Sequence, residues 1–586
     1  MANYFIFGIG GTGSRVIRSF TMLLGAGFSP FKATDRVFPV LIDFDTKNGD
    51  TQRAKDLMSV YHSIHAATYP DGLKVEEKLN ELFFSTPLYE MQEVSSACKS
   101  SFTMDFGTES SQTFEQWTAA NHLRDHKATS DLLHSLYDDS SDDNTAELKL
   151  KMNLGFKGNP NIGSIVFHSL KETDEFSDFT SLCQSGDKVI IVGSLFGGTG
   201  SSGIPELVQA IRTNNRPEVR DVDLSVIMVC PYFAFKSSDE RAVRSSIFKS
   251  KTKAALNFYA TSGLNDMINA VYYVGDDNPT IFEYCEGGEK QTNKIHVVDF
   301  VSALSICHFA EQSLGSEEQA LGRYNHTERK VVKNGLADTR YYKYRFTELS
   351  EEELAVSGEE KDEFQNGLNF SNFIDSELVR VFYPLSSFAI ALRFFHDEVA
   401  QKTKLVSQLD WFVTLGLSEC FHEGKVVSGN AGNVEVNQLR QCCSGLMDFY
   451  DYFRIWNEEF QRHSSHGLFL YNFDSEKPLS DFIAGVNFKE TTSGFLGMKS
   501  TKSFLDMEED VAEGTKNAWK DLKAVNTFGL DSKFKAFMLM SVLTNGCREV
   551  FIPSKNNNKK DNGRAEERRK KLEARNLKVV DATAAT

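Results

Sequence analysis

Asp187-Lys188-Val189-Ile190-Ile191-Val192-Gly193-Ser194-Leu195 runs without a break into Phe196-Gly197-Gly198-Thr199-Gly200-Ser201-Ser202-Gly203. The first nine residues form a near-continuous apolar run behind a charged pair, the pattern of a strand buried on both faces of a parallel sheet. After Phe196 the next seven are glycine and hydroxyl residues, a composition that bends sharply and leaves backbone N–H groups exposed. Ile204, Leu207, Val208 and Ile211 then recur at helical spacing. Strand, glycine loop and helix in this order place the loop at a strand's carboxyl end, where open α/β sheets bind their ligands.

The same order opens the chain. Tyr4 to Phe7 is apolar, Gly8-Ile9-Gly10-Gly11-Thr12-Gly13-Ser14 follows, and Val16, Ile17, Phe20, Leu23 and Leu24 keep a helical period. Val37 to Ile42 is the next apolar run and ends in Asp43-Phe44-Asp45. Two strands around one helix make a βαβ unit and imply parallel pairing. Further strands are expected at Leu224–Cys230, stopping at Pro231-Tyr232-Phe233, and at Ala270–Val274, stopping at Gly275-Asp276-Asp277-Asn278. A long apolar-faced helix is expected to begin near His296, and others around Phe388 to Val406 and Val436 to Trp456.

Composition bounds the rest. The 586 residues exceed one ordinary domain, since at roughly 150 residues per unit the prior is about four, or two to three for large α/β units. Lys plus Arg is 64 against 81 Asp plus Glu, a net charge of -17. That excludes a protein that coats nucleic acid along its whole surface, which needs a positive footprint. Nine cysteines with no Cys-x-x-Cys pair read as buried, reduced thiols of an intracellular protein rather than a disulfide scaffold. No long uncharged apolar window suggests a transmembrane segment, and the start lacks a basic flank and a cleavage site. The expectation is a cytoplasmic protein.

The expected fold class is α/β: a parallel-sheet nucleotide-binding domain over residues 1–310, then a core helix and a second, α+β domain. Residues 97–144, rich in Ser, Thr and Asp, read as an acidic surface insertion. Residues 311–369 read as a connecting segment, 370–553 as the C-terminal domain, and 554–586 as a flexible, disordered basic tail. Between Lys555 and Lys578 ten Lys or Arg face four Asp or Glu, so the tail is the part suited to an anionic partner such as DNA, a membrane surface or an acidic protein.

Two glycine loops, each opening a helix, combine exposed N–H groups with the positive end of a helix dipole and so suit phosphate. Thr12, Ser14, Thr199, Ser201 and Ser202 add hydroxyls. Neither loop ends in Gly-Lys-Ser/Thr, so this is not a Walker A site. Gly8-Ile9-Gly10-Gly11-Thr12-Gly13 does fit the dinucleotide spacing, with Asp43 or Asp45 available for a ribose, which keeps a Rossmann-type NAD- or ATP-dependent enzyme as an alternative. Such a fold has no evident use for the second loop.

Four segments together resemble the tubulin and FtsZ superfamily of nucleotide-dependent polymerising proteins. Phe196 to Pro205 resembles its signature loop, including the proline of the bacterial form. Gly10-Gly11-Thr12-Gly13-Ser14 resembles the first phosphate loop, and Gly155-Phe156-Lys157-Gly158-Asn159-Pro160-Asn161-Ile162-Gly163 the loop that senses the terminal phosphate. Pro231-Tyr232-Phe233-Ala234-Phe235, with Lys236, Arg241 and Arg244 after it, resembles the loop beside the ribose. The resemblance spans about residues 1–310. It implies GTP or GDP as the bound nucleotide, with Mg2+ carried by the phosphates and no protein ligand assigned to it. Gly10 to Ser14 and Gly197, Gly198, Thr199, Gly200 and Ser201 would wrap the α- and β-phosphates. Gly158 and Asn159 would approach the γ-phosphate, and Asp43 or Asp45 the sugar or base. Base contacts would fall to Asp276 or Asn278 and to Asn293 or Asp299, although Gly275-Asp276-Asp277 stands where the family has Pro-Asn-Asp.

The resemblance further implies head-to-tail self-association into filaments. One subunit would supply acidic residues from a Gly-x-x-Asn-x-Asp-x-x-Asp loop to hydrolyse its neighbour's nucleotide. The nearest stretch is Gly367 to Asp375, with Ser371 where the first acid should stand and Asp375 one place late. Asp375 and Glu377 are therefore the expected catalytic residues of a GTPase. The weak loop keeps open a non-hydrolysing, nucleotide-bound switch or scaffold protein.

Overall fold

Strand β1 (Asn3–Ile9) is buried along its whole length and lies between two parallel neighbours, β2 (Arg36–Ile42) and β3 (Lys188–Ser194), in the computed structural model. The structure describes residues 2–311 apart from several loops, the longest at 70–81, 119–125, 138–146 and 237–246. Beyond 311 it describes the segments 326–333, 338–344, 379–463, 507–524 and 534–549, and a few short strand pairs. The sheet continues through β4 (Asp223–Val229), past a small side ribbon of β5 (Phe233–Lys236), to β6 (Ala270–Val274). Strand β7 (Thr280–Glu283) pairs with β5 in that ribbon. Strands β8 (His326–Lys333) and β9 (Asp338–Tyr344) close the far edge, giving the order β2-β1-β3-β4-β6-β9-β8. All pairings are parallel except β8 with β9.

The apolar runs are continuous because both faces of each strand are covered. Tyr4 and Ile6 point into one core and Phe5, Phe7 and Ile9 into the other, and Val192 and Ile191 divide in the same way. Helices α1 (Gly10–Gly25), α2 (Gly49–Thr68) and, later in the chain, the core helix Val297–Glu311 cover the first face. On the second face lie α3 (Pro160–Phe167), Asp174–Leu182 and α4 (Gly198–Arg212). Helix α5 (Phe248–Thr261) leads toward β6, and the core helix is labelled α6 (Val297–Glu311).

Two expectations change. Part of the 97–144 segment belongs to the core: Leu41 pairs with Thr103, its N–H donating to the Phe102 carbonyl at 2.7 Å, while Phe102, Met104 and Phe114 are buried. Three apolar residues among many Ser, Thr and Asp are enough to add an irregular strand outside β2, and composition masks them. The C-terminal region also has no separate core in its described helices. α7 (Val379–Phe394), α8 (Val434–His463), α9 (Met507–Ala524) and α10 (Lys535–Glu549) join the same buried cluster as α1 and α2. Helix α1 explains this: nearly every residue from Gly10 to Gly25 is buried, α2 and the core helix flank it, and Phe388 of α7 with Phe449 and Trp456 of α8 reach it at Gly25 and Ser19. No described helix is long and apolar enough to cross a membrane. Residues 554–586 lie outside the described residues.

Candidate functional site

β1 and β3 are neighbours whose following helices go to opposite faces, so their carboxyl ends bracket the crevice at which such sheets bind ligands. α1 begins at Gly10 behind Ile9, and α4 begins at Gly198 behind Gly197. Neither has a side-chain cap. Both helices therefore present their first backbone N–H groups, and their positive dipole ends, to the same place.

Glycine is required here by close approach. Gly10 has φ +68, and a Cβ on it would sit 3.3 Å from the Thr199 Cβ. A Cβ on Gly13 would lie 2.4 Å from the Gly8 carbonyl carbon, so α1 can approach β1 only with glycine at both points. The loop from Gly155 to Gly163 joins the same cluster. A Cβ on Gly198 would stand 3.0 Å from the Gly158 backbone nitrogen and 3.2 Å from that of Asn159.

The result is a cleft, partly open to solvent. Of the residues expected from sequence, Gly10, Gly11, Thr12, Gly197, Gly198, Thr199, Gly200 and Gly158 line it, as do Asp43, Asp45 and Asn293. Gly13 and Ser14 lie behind the lining. The Ser14 hydroxyl bonds the Gly10 carbonyl at 3.1 Å and the Thr51 hydroxyl at 3.0 Å. Ser201 likewise spends its hydroxyl on the Gly197 carbonyl. These two serines brace the loops rather than face the cleft. Asn159 precedes α3 and is not part of the lining, its N–H donating to the Phe156 carbonyl at 2.8 Å. Asp276 follows β6 and is also absent from the lining. Asn278, Lys157, Arg241, Arg244, Asp375 and Glu377 lie outside the described residues.

The cleft has two chemically distinct ends. Gly155, Gly158, Gly198 and Thr199 form one, built mainly from backbone. At the other, Arg15 and Asn48 stand beneath Gly11 and Asp43 joins Asn48, with Gln291 and Asn293 also in the lining. Asn48 caps α2, accepting the Asp50 N–H at 2.9 Å, and its amide donates to Asp43 Oδ2 at 3.1 Å. Burial, with the Asp45 carboxylate adding to it, pushes the Asp43 carboxyl up to about 7. Asp45 is also pushed up by burial, against the opposing pull of the Gly288 N–H at 2.6 Å.

Sequence reasoning did not find Arg15. Its guanidinium is buried inside α1, with Nη1 on Asp50 at 2.9 Å and Nη2 on Thr12 Oγ1 at 3.1 Å and the Tyr232 hydroxyl at 2.6 Å. Its Nε lies 3.5 Å from Asp299, which also accepts the Tyr232 hydroxyl at 3.0 Å and the His296 N–H at 2.9 Å. Asp299, a base-contact candidate from sequence, is thus committed to this cage, and burial holds its carboxyl above the usual range despite Arg15. No sequence signal could have paired residues so far apart along the chain. Phe233, Phe235 and Phe248 add an aromatic wall.

No family model matches the chain, and no curated protein and no solved structure matches it either.

Proposed function

We propose that this chain is a tubulin/FtsZ-like nucleotide-binding protein that takes a nucleoside triphosphate, GTP by the family resemblance, into the cleft between the β1 and β3 loops. The observation that carries the reading is the meeting of two uncapped helix N-termini, α1 and α4, at one crevice whose other end offers side-chain amides and carboxylates. Backbone N–H groups suit the phosphates, and the amide-bearing end suits a sugar and base.

Charge sharpens the ligand. Among the described lining residues Arg15 is the lone Lys or Arg, and Asp50 and Asp299 already hold it, while burial shifts the Asp43 and Asp45 carboxyls toward their neutral form. A bare triphosphate would meet a wall whose one cation is already paired, so a magnesium-neutralised one is the favoured form. No cluster of three or more metal-ligating side chains occurs among the described residues, so the ion would ride on the phosphates.

Head-to-tail assembly into filaments, with hydrolysis aided by Asp375 or Glu377 of a neighbouring subunit, extends the same reading and rests on the resemblance alone. An NAD- or ATP-dependent enzyme is the less favoured reading, because the second glycine loop shares the cleft with the first. Equilibrium dialysis of GTP with Mg2+, against ATP and NAD as competitors, tests the binding. Saturable GTP uptake that neither competitor displaces supports it, and displacement by NAD at equal concentration contradicts it. Phosphate release measured against protein concentration tests assembly-linked hydrolysis: turnover that is absent, or unchanged when both acids are replaced, removes that extension.

A further inference from the structure

The wall segment 291–295 is held from behind by a residue far away in sequence. Gln291 and Asn293 line the cleft, and the chain then enters α6. Glu459, in the last turns of α8, accepts the Ile295 N–H on Oε2 at 3.3 Å and the Arg53 Nη1 on Oε1 at 2.6 Å. Arg53 Nη2 donates in turn to the Asn293 carbonyl at 2.7 Å and to Asp50 Oδ1 at 2.9 Å. The Asn293 amide reaches Asp50 Oδ2 at 3.3 Å, the oxygen that also takes Arg15. Arg18 completes the set on Glu459 Oε2 at 3.3 Å.

Three guanidiniums, of Arg15, Arg18 and Arg53, thus interlock with the carboxylates of Asp50, Asp299 and Glu459. The charges balance, so the set has no surplus with which to bind a phosphate. Its bonds instead converge on the backbone of 293–295 and on the guanidinium under Gly11. The end of α8 that carries Glu459 is well seated. Trp456 donates to the Ser19 hydroxyl at 3.1 Å and stacks on Phe460 at 5.4 Å, and Phe460 packs edge-on against Phe300 of α6 at 5.6 Å.

We infer that Glu459 is a positioning residue of the cleft: acting through Arg53 and Asp50, it fixes the 291–295 wall and Arg15, and so sets the fit of the nucleoside end but not of the phosphate end. The inference rests on the nucleotide reading above. It makes the C-terminal helix α8 part of the ligand site without touching the ligand. A neutral Gln at 459 keeps an acceptor but loses the charge that orders two arginines. Asp keeps the charge on a shorter arm.

Calorimetric titration of the full chain with magnesium-GTP and with inorganic tripolyphosphate separates the outcomes. Glu459→Gln should weaken GTP binding by about tenfold and leave tripolyphosphate within about twofold, with Glu459→Asp falling between for GTP. Glu458→Gln, on the same helix but paired outward with Arg454 at 3.0 Å, should change neither. Equal weakening of both ligands, or of neither, overturns the inference. If Glu459→Gln fails to fold, hydrogen exchange on the wild type decides: GTP should slow the Ile295 amide and tripolyphosphate should not, and equal protection by both overturns it. A wild-type chain that binds neither probe overturns the nucleotide reading itself, and the positioning role with it.

Discussion

Gly10 and Thr199 belong to different glycine loops, yet a Cβ added to Gly10 would lie 3.3 Å from the Thr199 Cβ. The loops after β1 and β3 are thereby locked face to face, and the cleft's phosphate-suited end is a single built unit. Gly10→Ala adds both this contact and a left-handed backbone strain at φ +68. It should cost about 1–2 kcal/mol of stability, read from a urea midpoint, and weaken tripolyphosphate binding.

Gly13→Ala should be worse. Its Cβ would meet the Gly8 carbonyl carbon at 2.4 Å and the Val192 carbonyl oxygen at 3.0 Å, all backbone inside the sheet. Those atoms move only if α1 lifts off β1, so a loss of about 3 kcal/mol or more, or failure to fold, is expected. A urea midpoint equal to that of Gly10→Ala would contradict the packing.

Arg15 shares its charge with two buried carboxylates. Arg15→Met leaves Asp50 and Asp299 facing each other without their shared cation, at an expected cost of about 3–5 kcal/mol. Adding Asp50→Asn to it should recover part of that loss, because a neutral amide tolerates burial better than an unpaired carboxylate. Denaturation of the single and double variants gives the coupling, and strict additivity would show that the cage is not a unit.

Asp43 makes stability depend on pH. An unfolded aspartate titrates near about 3.9, whereas burial and Asp45 push the native group up to about 7. Between these values the folded chain binds more protons than the unfolded one. Its contribution is therefore fully present below about pH 4 and is lost as pH rises through about 7. The stability of Asp43→Asn minus that of wild type should climb over that window and then flatten, whatever constant offset the altered hydrogen bonds to Asn48 and Thr51 impose. A flat difference between pH 4 and 7 would contradict the upward shift that burial gives the Asp43 carboxyl.

The strands and glycine loops are legible because the physics is local. A strand covered on both faces must be apolar throughout, and a loop that approaches another backbone must be glycine, so Ala270–Val274 is expected and found as β6, and α6 begins at Val297 beside the expected His296. What stays hidden is set by distance along the chain. Arg15 looks like an ordinary polar position in a helix until Tyr232 and Asp299 arrive from segments more than two hundred residues later. Glu459 similarly reads as one more charge on a long amphipathic helix. Phe102 and Met104 are masked by their polar neighbours, and only pairing with Leu41 makes them core.

The central claim is that the glycine-built cleft holds a nucleotide. Native mass measurement of the purified chain, beside Gly198→Val, tests it most directly, because a Cβ at 198 would lie 3.0 Å from both the Gly158 nitrogen and the Phe156 Cβ and so press into the loop junction. The account expects wild type, supplied with magnesium-GTP, to carry one added nucleotide mass, and the folded variant to carry none. A wild-type chain that gains no mass, or a variant that gains the same mass as wild type, would contradict it.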